Sequence, residues 1–204
     1  MGNRAIIKGE NMTSAVYLHW NGGRDSVEAF LEYCKIRGFD KFNSDYGFAR
    51  FLQVVSNFMG GDGLSVGVVS SYATSAGDNG IYWVDGFDIV KREDFTGFEQ
   101  REYNLMEMLQ VIDEKQPAEQ QIGKDYFNAV EVPTNELKIG DKVVLKDFMG
   151  KFETLEVVGI GVEGWCNGVE TLNKPYVNKF CNAGVYDKNC NNYIRDNITR
   201  VLKV

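Results

Sequence analysis

The sequence predicts an α+β protein in two parts. An N-terminal α/β sandwich-like domain has three helices and a mixed or antiparallel sheet; a small SH3-like β-barrel follows. Three observations carry this. Apolar residues recur at helical spacing in three segments before residue 115 and at strand spacing between them. After Gln116 the helical period stops, and short alternating runs separated by turn residues take over. The charge also divides: residues 1–128 carry 12 basic and 19 acidic side chains, residues 129–204 carry 10 and 10. The expected organisation is an acidic α+β domain over 1–116, a linker over 117–133 and a barrel over 134–204.

Ala5-Ile6-Ile7 and Ala15 to Trp20 read as strands, and Asn21-Gly22-Gly23 as a turn. A helix is expected from Asp25 to Arg37. Val27, Phe30, Leu31 and Cys34 lie on one face, Asp25 and Glu28 suit a capping box, and Gly38 ends the helix. Ser44 or Asp45 opens a second helix with a stripe of Phe48, Phe51, Leu52, Val55, Phe58 and Met59, stopped by the glycines at 60–63. Leu64 to Ser71 alternates as a strand. Residues 81–84 and 87–90 form a hairpin across Asp85-Gly86. Asn104 caps a third helix with Leu105, Met108, Leu109 and Ile112 on one side.

Gln116-Pro117-Ala118-Glu119-Gln120-Gln121 has linker composition. Leu137 to Leu145 reads as a turn and an alternating strand, and Phe152 to Ile160 as another. Ile198 to Lys203 is placed to pair with the first barrel strand; Asn182 to Asn197 reads as a loop. The Gly140-Asp141-Lys142-Val143 entry resembles the first strand of SH3-like barrels.

Thirteen Phe, ten Tyr and three Trp in 204 residues provide enough apolar area for two cores. No signal-peptide-like or membrane-spanning run is present, so a cytoplasmic location is expected. Cys34, Cys166, Cys181 and Cys190 then read as reduced thiols. None forms a C-x-x-C pair and there is one histidine, so neither a metal nor a cofactor is expected. A net charge of −7 argues against direct nucleic-acid binding.

One segment carries a motif. His19-Trp20-Asn21-Gly22-Gly23-Arg24-Asp25-Ser26 lies between a strand and a helix. Glycines at a helix N-terminus turn backbone N–H groups toward an anion, and Arg24 would pair with a phosphate. The alternative reading is a tight turn with a helix cap. Gly22, Gly23, Asp25 and Ser26 resemble the S-G-G-x-D-S loop of ATP pyrophosphatases, with Asn21 in place of the first Ser. The resemblance implies pyrophosphate binding at Asn21, Gly22, Gly23, Arg24, Asp25 and Ser26. The rest of the chain departs from that family, whose domain is a doubly wound parallel sheet.

Other site candidates are interaction residues. His19 shares a strand face with Tyr17 and reads as structural or as a contact residue. Met106 lies off the stripe of the third helix and is a candidate partner contact. Trp165, in a glycine-rich turn, is either a binding hot spot or a lid on the barrel core. No nucleophile–base pair or spaced carboxylate pair is recognisable, so no catalytic residue is assigned.

The segments 1–5 and 16–31, with similarity extending through the hairpin into residues 137–143, resemble a group of uncharacterised phage and prophage proteins of Gram-positive bacteria. That resemblance implies a mobile-element gene. With the acidic N-domain, it leads to an expected function as an anti-defence binding protein, such as an anti-CRISPR inhibitor that blocks a host nuclease or effector. The expected partner is a host defence protein, with self-association into a homodimer a further expectation. The alternative is binding of a nucleotide or phosphate at the NGGRDS turn, as immune-signal sequestration or ATP chemistry.

Overall fold

The computed structural model describes residues 2–60, 65–73, 77–95, 97–99, 101–146, 151–162, 173–177, 192–193 and 201–204. The protein is α+β, and the chain divides into two compact units, Met1–Gln121 and Ile122–Val204.

The first unit contains β1 (Ala5–Gly9), β2 (Ser14–Leu18), α1 (Arg24–Arg37), α2 (Asp45–Met59), β3 (Val66–Ser70), β4 (Ile81–Asp85), β5 (Asp88–Glu93) and α3 (Leu105–Glu114). Its sheet runs β3-β2-β1-β4-β5. Every neighbouring pair is antiparallel except β1–β4. This mixed order follows from one long connection. Residues 71–73 follow β3, and residues 77–80 lie beside β1, where Asn79 donates its N–H to Arg4 O and Ile6 donates its N–H to Gly80 O.

Strand alternation gives the sheet two apolar faces. Ala5, Ile7, Val16, Leu18, Tyr82 and Val84 occupy one, all essentially inaccessible. The other carries Ile6, Ala15 and Ile81, against which Tyr17, Val69, Ala73 and Trp83 pack. Lys8 lies on this second face. Its Nζ donates to Ser71 O at 3.0 Å and sits 4.3 Å from the Trp83 ring centroid, so its charge is solvated by a carbonyl and a π face.

The helices follow their signals closely. Gly38 and Gly60 close α1 and α2 at φ 68° each, where a side chain would be strained. Ser44 caps α2 by accepting from Gly47 N–H, and Asn104 caps α3 by accepting from Glu107 N–H. The capping box expected at Asp25 does not form: α1 starts at Arg24, its cap residue is Gly23, and no side chain caps it. Leu105 is 46 % exposed rather than core, because the buried stripe of α3 starts one turn later at Met108. In the hairpin the two-residue loop is Gly86-Phe87, one residue later than expected. Positive φ at Gly86 alone is the type II′ pattern, and it directs Phe87 into the core.

Tyr33, Asp113 and Gln116 are buried polar groups with partners. Tyr33 Oη donates to Asp113 at 2.7 Å, and burial pushes its hydroxyl pKa up. Gln116 Nε2 donates to Val54 O and Ile112 O, tying the exit of α3 to α2. Cys34 is buried and free, with its thiol pKa pushed up by burial.

The expected linker over 117–133 includes the division between the two units after Gln121. It contains a 3-10 turn at Ala118–Gln120, a short helix α4 (Lys124–Asn128) and a strand β6 (Val130–Val132). The Pro- and Gln-rich composition suggested a spacer, but Gln116 and Gln121 turn their amides onto backbone carbonyls. β6 exists only because the C-terminus returns to pair with it, a long-range event that local composition does not report.

The second unit continues with β7 (Lys142–Lys146), β8 (Phe152–Glu156), β9 (Gly159–Val162), β10 (Asn173–Val177), β11 (Asn192–Tyr193) and β12 (Val201–Lys203). One sheet runs β6-β12-β7-β8 and another β11-β10-β9. Leu137, Val143, Leu145 and Val157 form its described core. The strand expected over 152–160 is split, because Val157 bonds through its N–H and C=O to Asp141 and Gly140. Residues 192–193 of the expected Asn-rich loop form β11. Lys203 Nζ and Lys138 N–H both donate to Asp141 at 2.8 Å, an arrangement that lowers its carboxyl pKa and ties β12 to the entry of β7. Trp165, Cys166, Cys181 and Cys190 lie outside the described residues.

The tightest steric demand in the first unit is at Gly47. A Cβ there would lie 1.9 Å from Lys41 O and 2.4 Å from Asp40 O. Gly47→Ala is expected to destabilise the protein by about 2–3 kcal/mol in chemical denaturation, whereas Gly67→Ala, with open space around it, changes it by less than about 0.5 kcal/mol.

Candidate functional site

The NGGRDS turn joins β2 to α1 and is built against β1. Asn21 turns the chain at φ 54°, a left-handed conformation that Asn tolerates. Gly22 donates its N–H to Asn3 O at 2.8 Å and accepts from Tyr82 Oη at 3.1 Å. A Cβ on Gly22 would lie 2.6 Å from Asn3 O and 2.8 Å from both Ala5 N and Ala5 Cβ, so glycine is required for the turn to seat on the sheet. Gly23 is the extended cap residue, and its carbonyl accepts the first helical bond from Val27.

The side chains that would serve a phosphate are engaged elsewhere. Arg24 Nε pairs with Glu28 at 2.6 Å, and that bond raises the arginine's pKa. Ser26 is buried. Asp25 Oδ1 accepts from Ser26 N–H at 2.8 Å, while Oδ2 accepts from Glu102 N–H at 2.7 Å and Tyr103 N–H at 3.0 Å. One carboxylate thus closes its own turn and holds a segment 77 residues away.

A second anchor holds the same segment from the other side. The Arg92 guanidinium lies 4.6 Å from the Tyr82 ring centroid and 3.4 Å from that of Phe95. It donates to the Asn79 carbonyl and side-chain oxygen and pairs with Glu99. Tyr82 links the two anchors, since its hydroxyl holds Gly22 and its ring receives Arg92.

Between and beyond these anchors runs an exposed strip. Every described residue from Gly97 to Glu107 is exposed. Phe98 is 98 % accessible; Tyr103, Leu105 and Met106 are also exposed, interleaved with Glu99, Glu102 and Glu107. Large apolar side chains are thus on display among carboxylates, on a segment tied by Asp25 at Glu102 and Tyr103 and by Arg92 at the Glu99 side chain.

The candidate residues therefore fall into two sets. Asn21 to Ser26 form one turn, and Asp25 joins it to the strip that carries Met106. His19 stands apart: its Nδ1 is 3.1 Å from Tyr17 Oη and its ring packs edge-on to Trp20. Sequence reasoning singled out Met106 but missed Phe98 and Tyr103, because no local pattern distinguishes an exposed aromatic from a core one.

Other sites offer less chemistry. A cleft of about 580 Å³ lies at the opposite end of β1 from the turn, lined by Glu10, Asn43, Trp83, Asp85 and Lys91 among others. It contains no nucleophile paired with a base. Among the described residues no group of three His, Cys, Asp or Glu could hold a metal ion, and no helix is long and apolar enough to cross a membrane. Comparison with protein-family models, with curated proteins and with solved structures returns no match.

The Asp25 link predicts a local effect. Asp25→Ala removes three backbone partners from one carboxylate, so trypsin should cut after Arg101 at least about tenfold faster in the folded variant than in the parent, as local opening governs cleavage. Peptide mapping of a timed digest measures this.

Proposed function

We propose that this chain is a phage-borne anti-defence binding protein without catalysis of its own, acting through the 97–107 strip. The observation that carries the reading is this strip: exposed Phe98, Tyr103, Leu105 and Met106 among Glu99, Glu102 and Glu107, held at both sides by buried or paired groups. Such a surface suits a partner that offers apolar pockets within a basic field. A host nuclease or CRISPR effector with a nucleic-acid groove has that character. The first unit carries eleven Lys and Arg against eighteen Asp and Glu, which accounts for the whole net charge of −7. The resemblance to phage and prophage proteins supports the same role in the host cytoplasm.

In this reading the second unit is an SH3-like barrel serving as an appendage. Its support is the Gly140-Asp141 entry to β7 and the return of β12 onto β7.

One observation favours phosphate binding instead: the cap residue Gly23 has no side chain to cap α1, although Ser26 N–H in its first turn is taken by Asp25 Oδ1. The engagement of Arg24 and Asp25 weighs against it. A thermal-shift series with ATP and cyclic nucleotides at millimolar concentration is expected to show no stabilisation; a shift that disappears in Arg24→Ala would transfer the weight to this reading.

The main reading is tested by phage plating on hosts with active immunity. Expression of the chain is expected to restore plating, and Phe98→Ala combined with Met106→Ala to abolish the rescue while the protein stays folded. Each truncated anchor should weaken partner binding about 10–100-fold. No rescue across CRISPR and nucleotide-signalling defences would refute it.

A further inference from the structure

The two edges of the first sheet are unlike each other. β5 carries Asp88, Lys91, Arg92 and Glu93, the charge pattern that keeps an edge strand from pairing with another chain. β3 reads Val-Gly-Val-Val-Ser and lies in a stretch, Gly63 to Gly77, that contains no charged residue and no proline. Among the described residues β3 pairs only with β2 and is an edge strand without the usual protection.

Its backbone is set for a partner. Ser71 N–H bonds to Thr13 O and His19 N–H to Ser65 O, so odd-numbered residues of this strand face β2. By antiparallel alternation Val66 and Val68 point their N–H and C=O groups to the open edge, as Ser70 does its N–H, while Ser70 O accepts from Ala73 N–H at 2.9 Å. Val68 is 54 % exposed, an apolar side chain at the midpoint of that row. A Cβ on Gly67 would meet nothing within 4 Å.

We propose that β3 pairs antiparallel with β3 of a second copy of this chain, about a twofold axis at Val68, to make a continuous ten-stranded sheet. The row is its own complement. With Val68 opposite Val68 of the other copy, Val66 lies opposite Ser70, and each outward residue meets another outward residue, giving four main-chain hydrogen bonds once the two that would need Ser70 O are left out. Charge identifies the occupant. Two copies of a protein with net charge −7 repel, and an uncharged strip is where they approach at least cost. A basic or acidic partner would gain nothing from a strip without charge.

Sedimentation equilibrium of the full chain tests this. The expected mass is twice the 23.0 kDa of one chain. Val68→Pro removes only an N–H that faces away from β2, and should return the mass to a monomer with an unchanged circular dichroism spectrum. Val68→Lys should do the same by placing like charges face to face, and serves if the proline variant fails to fold. Val90→Lys, on the β5 edge, should remain dimeric. A monomeric parent at sub-millimolar concentration, an open-ended aggregate, or a dimer that survives Val68→Lys would overturn the proposal.

Discussion

The placement of residues 102 and 103 ahead of α3 depends on a single carboxylate. Asp25 sits in the first turn of α1 and accepts three backbone N–H bonds, one from its own turn and two from residues 102 and 103. Hydrogen bonds to an ionised acceptor are stronger than neutral ones, and two donors on one oxygen fix direction as well as distance. Without this carboxylate the chain between β5 and α3 would be tied only at Arg92. With it, residues 102 and 103 are held in the free protein, which in the proposed role would reduce the ordering cost of recognition.

The turn that resembles a phosphate loop has its groups engaged within the chain. A loop that binds pyrophosphate needs its arginine, its hydroxyl and its amides free. Here Arg24 is tied to Glu28, Ser26 is buried, Gly22 N–H is bonded to Asn3 and Asp25 serves the strip. The glycine at 22 has a packing reason, the approach of Asn3 and Ala5 to within van der Waals contact, that requires no ligand. The sheet beneath, antiparallel at every pairing but β1–β4, also differs from a doubly wound parallel sheet.

Much of the fold was legible in the sequence, for local reasons. Gly38, Gly60, Ser44 and Asn104 mark helix ends through backbone chemistry that acts within four residues, and they mark them correctly. What was hidden is what depends on distant partners. β6 needs β12, about 70 residues later; the split at Val157 needs Gly140 and Asp141; the role of Asp25 needs Glu102 and Tyr103. The capping box was misread for the same reason, because an Asp three residues before a Glu looks like a cap whether or not its carboxylate is drawn elsewhere. Phe98 was illegible, since its importance lies in its exposure and not in its neighbours.

The central claim is that Asp25 holds the exposed strip before α3 in place in the free protein. Amide hydrogen exchange of the unmodified chain, resolved to single residues by NMR, tests it most directly. The N–H groups of Glu102 and Tyr103 should exchange at least about tenfold more slowly than those of Phe98 and Arg101 in the same exposed strip, because hydrogen-bonded amides exchange only through opening. Equal exchange at all four positions would show that no such link exists and would contradict the account.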